Sequence, residues 1–114
     1  MSSAPHERRR HILDEIDFLI EESRGLTKAE FIQDRLRQRA FVRSLEINGE
    51  AVKKLSPDLR GRYPQVQWAL IAGMRDHLIH GYFSVDYDIV WDAVTAKVLE
   101  LQDQIREVLE TEDA

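Results

Sequence analysis

"PQVQWALIAGMRDHLIHG", residues 64–81, decides how this chain folds. Pro64 suits a helix entrance and Gly81 a helix exit. Apolar residues recur between them every three or four positions, which predicts a helix over 66–80. At about 100° per residue, Trp68, Met74 and Leu78 fall within about 60° of Ile71. That side is the expected core face. Arg75 falls inside the same stripe. A guanidinium stays charged, so it must snorkel to solvent or meet anions. The opposite side carries Ala69, Gly73, Asp76 and His80, and its two small residues leave room for a second helix.

The same spacing continues on both sides of this segment. Ile12, Ile16 and Leu19 predict a first helix over 6–23, entered at Pro5 and ended by Gly25. "LTKAEF" has the form of a capping box, Thr27 with Glu30, and places Leu26 and Phe31 for a hydrophobic staple. It opens a long helix expected over 28–55, whose stripe is Phe41, Leu45, Asn48, Val52 and Leu55. Gly49 lies beside that stripe. A glycine inside a helix costs about 1 kcal/mol relative to alanine, which points to a close helix contact. "SPDLRGRYP" reads as the main loop. Asp86 is placed to cap a further helical segment. Val94, Val98, Leu101, Ile105 and Val108 form the stripe of the last helix. No stretch alternates with period two. The expectation is one domain over residues 1–114, an all-α antiparallel bundle of four or five helices.

Composition narrows the function. The chain has 114 residues, 43% of them hydrophobic and 32% charged, with a net charge of −5. A nucleic-acid site therefore has to be a local basic patch. The absence of cysteine excludes disulfides, thiol catalysis and thiolate metal sites. "MSSAPHERRRHIL" has no apolar signal core, and no apolar run approaches the ~20 residues of a membrane span. A cytoplasmic protein with no membrane partner is expected. Arg8, Arg9, Arg10 and His11 form a small basic patch or a solvated helix face.

"RDHLIHGY", residues 75–82, concentrates the chemistry. On a continuous helix Asp76 and His80 are surface neighbours, and His80 would sit at the C-terminal end. Both the carboxylate and the helix end favour imidazolium, as an acid–base catalyst requires. An ordinary polar helix end and a structural arginine ion pair explain the same residues without catalysis. His77 and His80 alone do not make a metal site, and neither a metal nor another cofactor is expected.

"GMRDHLIHGYFSVDYDIVWDAV" resembles the signature segment of the HEPN superfamily, in its HepT-like branch. That branch carries Arg-x4-His-x-Tyr, matched by Arg75, His80 and Tyr82. Asp76 fits the polar position after the arginine. "LEINGEAVKKLS" and "PQVQWALIAGMR" resemble further family segments, so the likeness spans roughly residues 10–109. Two positions depart from it. His77 stands at a position usually basic or polar and is a possible auxiliary acid–base group. Asn48 stands where an apolar residue is expected before Gly49.

The resemblance implies an HEPN-like helical bundle acting as a homodimer, with the two motifs meeting at the interface. It implies a metal-independent endoribonuclease toxin with RNA as substrate. In this reading Arg75, His80 and Asp76 are catalytic. It also implies a minimal nucleotidyltransferase antitoxin as partner, which silences the toxin by transferring AMP to Tyr82. Two rivals use the same residues. One is a non-catalytic helical dimer that docks a nucleotidyltransferase or a nucleotide. The other is a purely structural bundle in which Arg75 forms a core ion pair.

Overall fold

Helix starts along this chain are written in side-chain hydrogen bonds. The computed structural model describes residues 5–80 and 84–112. Helix α1 (Pro5–Ser23) ends at Gly25, whose φ of 77° is open to glycine without strain. Thr27 then caps α2 (Lys28–Gln33). Its hydroxyl accepts from the Glu30 amide at 3.1 Å, and Glu30 accepts from the Thr27 amide at 3.0 Å, so the expected capping box is present.

The long helix expected over 28–55 is interrupted. At Asp34 the backbone turns extended (φ −104°, ψ 90°), and Asp34 caps α3 (Arg35–Lys53) by accepting from the Arg37 amide at 3.0 Å. The buried amide of Gln38 donates to the carbonyls of Phe31 and Ile32 at 3.0 and 2.8 Å. These bonds satisfy the orphan carbonyls that a helix end leaves. The bend returns Phe31 onto the bundle, where it stacks on Phe41 and on Trp91 at ring separations of 5.3 Å. Such aromatic pairs add about 0.5–1.5 kcal/mol beyond area burial.

The expected main loop also contains a helix. Ser56 caps α4 (Pro57–Arg62), with Pro57 in the first turn. The Trp68 indole donates to the carbonyls of Arg60 and Tyr63 at 3.1 and 3.0 Å, tying α4 to the next element. That element is α5 (Trp68–Ala72), followed after Gly73 by α6 (Met74–Leu78). The interruption is slight, because the His77 amide still donates to the Gly73 carbonyl at 3.2 Å. The helix stops at Leu78, two residues earlier than expected. Strand β1 (Ile79–His80) pairs antiparallel with β2 (Ser84–Val85), His80 opposite Ser84. The Asp86 amide closes on the Leu78 carbonyl at 2.8 Å.

Asp86 caps α7 (Tyr87–Asp92) as expected, accepting from the amides of Asp88 and Ile89 at 3.0 and 3.2 Å. A π-helical turn (Ala93–Lys97) then leads into α8 (Val98–Glu112). Among the described residues the architecture is all-α apart from the two-residue ladder. Short helices α2, α4 and α7 supplement the longer ones expected.

The core joins the predicted stripes. Ile16, Leu19, Phe41, Val52 and Leu78 are fully buried, and Trp68, Ile71 and Met74 nearly so. Helix α3 packs on α1 and on the α5–α6 segment. Gly49 sits at that second crossing. A Cβ built on it would meet the Ile71 carbonyl oxygen at 3.0 Å and that of Ala72 at 3.3 Å. The expected close contact is therefore helix backbone against helix backbone. At the far end of the bundle, Arg62 and the Tyr63 hydroxyl both donate to the Glu112 carboxylate. They hold its pKa below the ordinary 4.5, Arg62 contributing most.

Two outcomes follow from these contacts. Gly49→Val should lower stability by about 1–3 kcal/mol in urea unfolding, because the obstructing atoms are backbone. A neutral Gly49→Val would show that the crossing can open freely. For Glu112 the depressed folded pKa fixes the sign. Its stabilisation is complete above the ordinary value of 4.5 and is lost as pH falls through the lower folded value. Glu112→Gln should therefore flatten the acid limb of stability against pH, measured by thermal melts between pH 3 and 6. An unchanged acid limb would exclude this clasp as a contributor.

Candidate functional site

Two faces of α3 meet the α5–α6 segment on either flank of the Gly49 crossing, and the residues singled out above divide between them. On one flank lies Arg75. Its side chain is 68% exposed, so it has left the apolar stripe that the helical wheel assigned to it. Its Nε lies 3.8 Å from a Glu46 carboxylate oxygen, a loose pair across the crossing. Exposed pairs of this kind contribute at most ~1 kcal/mol. The expectation that Arg75 must reach solvent or meet an anion is met on both counts, and a core ion pair is excluded.

Arg75 lines a groove of about 240 Å³ with Arg43, Glu46, Gly49, Glu50, Lys53 and Ala72. Three cations and two carboxylates there sum to +1, against −5 for the whole chain. Lys53 pairs with Glu50 at 3.4 Å. The arginine fork, with Arg43 and Lys53 nearby, suits a phosphate-sized anion. Arg43 and Lys53 were not anticipated from sequence. The signal was available: Arg43, Glu46, Glu50 and Lys53 follow helical spacing along one side of α3 and flank Gly49.

Asp76 and His77 are exposed on α6. The helical neighbour relation expected between Asp76 and His80 is not formed as drawn, because the helix ends at Leu78 and His80 lies in extended backbone. The side chain of His80 lies outside the described residues, as do Gly81, Tyr82 and Phe83. Ala69 is exposed and Gly73 half-buried, so the face expected to meet a second copy lies at the surface. Among the described residues, no group of three or more His, Cys, Asp or Glu side chains can hold a metal ion. No helix among them is long and apolar enough to cross a membrane.

On the other flank is a cleft of about 270 Å³ into which Asn48 faces from α3. Asn48 is 2% exposed, and its Oδ1 has no hydrogen-bond partner among the described residues.

The family model described as "Ribonuclease HepT-like" matches residues 12–108, almost the whole helical bundle. The chain belongs to this family. Among its relatives is a Caldanaerobacter subterraneus protein named "Putative RNase". It is 49% identical over 90% of this chain and 91% of its own length. A Methanocaldococcus jannaschii protein of the same description is 43% identical, covering 86% of this chain and 81% of its own length. A "Probable ribonuclease HepT" of Thermococcus cleftensis is 36% identical over 80% of this chain and 83% of its own. No solved structure matches the chain.

The exposure of Arg75 makes its structural role measurable. Arg75→Ala should change unfolding free energy by no more than about 0.5 kcal/mol, read by chemical denaturation. A loss of several kcal/mol would restore the core-ion-pair reading.

Proposed function

We propose that this protein is an endoribonuclease that cleaves RNA without a metal ion, through attack of the neighbouring 2′-hydroxyl. The observation that carries this is Arg75, solvent-facing in a locally cationic groove within a HepT-like ribonuclease fold. The 2′-oxygen bonds to phosphorus as the bond from phosphorus to the 5′-oxygen breaks, leaving a cyclic phosphate. One group takes the 2′-hydroxyl proton and another delivers a proton to the departing 5′-oxygen. His80 from each chain of a homodimer fills these two roles, with Asp76 and His77, both exposed on α6, as auxiliary groups. Arg75 neutralises the charge growing on the phosphorane oxygens with a permanent cation. The small-residue face of Ala69 and Gly73 supports the dimer, since a two-fold axis through it brings two copies of the motif together.

The same reading assigns the protein to a toxin–antitoxin pair with a minimal nucleotidyltransferase. The Tyr82 phenolate oxygen attacks the α-phosphorus of ATP, the bond to the β-phosphate breaks, and pyrophosphate leaves. The added phosphate occupies Arg75 and repels the RNA backbone. This part rests on the Arg75–His80–Tyr82 motif.

The purified protein is expected to degrade RNA in EDTA and to leave cyclic or 3′-phosphate ends. Arg75→Ala should reduce the rate about 10²–10³-fold, the effect of removing one oxyanion donor. His80→Ala should reduce it at least as much. Recovery of activity only with divalent ions would require a different mechanism. Binding of the nucleotidyltransferase with no RNA cleavage would favour the non-catalytic dimer. Tyr82→Phe should gain no AMP mass from ATP and the partner enzyme, and should escape silencing. Equal modification of Tyr82→Phe would move the acceptor elsewhere.

A further inference from the structure

Asn48 is a buried side chain with an unmet need. It is 2% exposed, it lines the 270 Å³ cleft, and its Oδ1 is unpartnered among the described residues. An orphaned buried acceptor costs stability that an apolar residue of similar shape would not. Unexplained polar atoms of this kind call for a missing partner. A second irregularity borders the same cleft. The π-helical turn contributes Ala93 and Lys97 to its wall, and Val98 follows directly. Single π-turns within α-helices collect at functional sites.

The walls define the occupant. Leu45, Ile71 and Met74 line it from α3 and α5–α6, and Val98 and Leu101 from α8. These are aliphatic groups able to pack against a ring, with a methionine whose sulfur suits contact with an aromatic ring, often at its edge. Gln67, Gln104, Lys97 and Glu100 supply polar groups around them, Gln104 being tied to the Gln65 carbonyl at 3.1 Å. The volume is just below the roughly 300–1,000 Å³ of drug-sized sites, which suits one ring system with little attached. A carboxamide offers an acceptor and a donor side by side. Adenine matches that pair with its amino group and an adjacent ring nitrogen; cytosine offers the same pair on a single ring, and the two-ring base fills more of the 270 Å³.

We propose that this cleft is a binding site for the adenine ring of an unpaired nucleotide, recognised by Asn48. It lies on the other flank of the Gly49 crossing from the Arg75 groove. As a base-selecting subsite for RNA it rests on the ribonuclease reading; as an adenine site it stands on the cleft alone. Free adenine nucleotides share this chemistry.

The test is a titration of the full chain with adenosine, cytidine, guanosine and uridine, followed by NMR at the methyl groups of Ile71, Met74 and Leu101. Adenosine should bind at least about tenfold more tightly than the other three. Asn48→Leu should abolish that preference while raising the melting temperature, because it removes an orphaned acceptor from a folded core. Equal binding of all four nucleosides, or none, overturns the proposal. So does Asn48→Leu that binds adenosine like the wild type, or that loses binding only because it melts lower. Nucleoside-free shifts that grow with protein concentration and are accompanied by loss of adenosine binding show a second copy filling the cleft, and also overturn it. Oligouridylates with and without a single adenine separate the sources. Adenine-dependent shifts with the oligomer support an RNA base, and shifts with adenosine or AMP only support a free nucleotide. Intact adenosine binding in a protein that cleaves no RNA removes the ribonuclease reading alone. Cleavage with no such shifts removes the adenine site alone.

Discussion

The approach of Gly49 to the carbonyl oxygens of Ile71 and Ala72 is the contact on which the rest of this structure depends. At 3.0 and 3.3 Å from a Cβ position, those backbone atoms leave too little room for a side chain unless one helix gives by a few tenths of an ångström. The crossing brings α3 directly against the segment that carries Arg75. It also separates two concavities. Residues 46, 49, 50 and 53 of α3 line the Arg75 groove, whereas Leu45 and Asn48 line the second cleft. A wider crossing would move Arg75 away from Arg43 and Lys53 and enlarge the cleft. One glycine thus sets the geometry of both sides.

Much of this was legible as periodicity and capping chemistry. The stripe Phe41, Leu45, Asn48, Val52, Leu55 is buried as read, and so are Trp68, Ile71, Met74 and Leu78. Thr27 and Asp86 cap where they were expected. The interruptions were not legible, because periodicity reports which face is buried and says little about continuity. Gln38 ends α2 through a side-chain bond to carbonyls six and seven residues back, a tertiary arrangement that helical spacing hides. Asp34 was the available signal, a good capping residue placed inside an otherwise helical run. At Gly73 the axis is barely disturbed, so the wheel for residues 68–78 survived the break. Beyond Leu78 the wheel failed, since the chain there satisfies its backbone through the bridge to Ser84–Val85 rather than through another turn. The wheel also placed Arg75 correctly by angle and wrongly by depth: a long side chain on an apolar flank can lift its charge into water.

Charge is arranged locally in a way the total conceals. A chain of net −5 repels polyanions at a distance, yet its α3 flank gathers Arg43, Lys53 and Arg75 around two glutamates. Screening makes the distant repulsion weak beyond about 10 Å at ordinary ionic strength, whereas contacts inside the groove are felt in full. The glutamates have a role in this balance. Glu46 stands 3.8 Å from Arg75, near enough to bias its position and too loosely paired to hold it against a phosphate.

Residues 48 and 49 spend stability together. A glycine within a helix gives up about 1 kcal/mol relative to alanine. A buried acceptor without a partner gives up about 1–3 kcal/mol. Both losses fall on consecutive positions of α3, and both positions face the α5–α6 segment. The loss at Gly49 is recovered in the fold, because the close crossing buries Ile71 and Met74. The loss at Asn48 is not recovered among the described residues. Its neighbours on the stripe, Leu45 and Val52, show that the same helix face accepts aliphatic side chains. What sets Asn48 apart is the cleft it lines, and the ligand proposed there would supply the partner that the described residues do not.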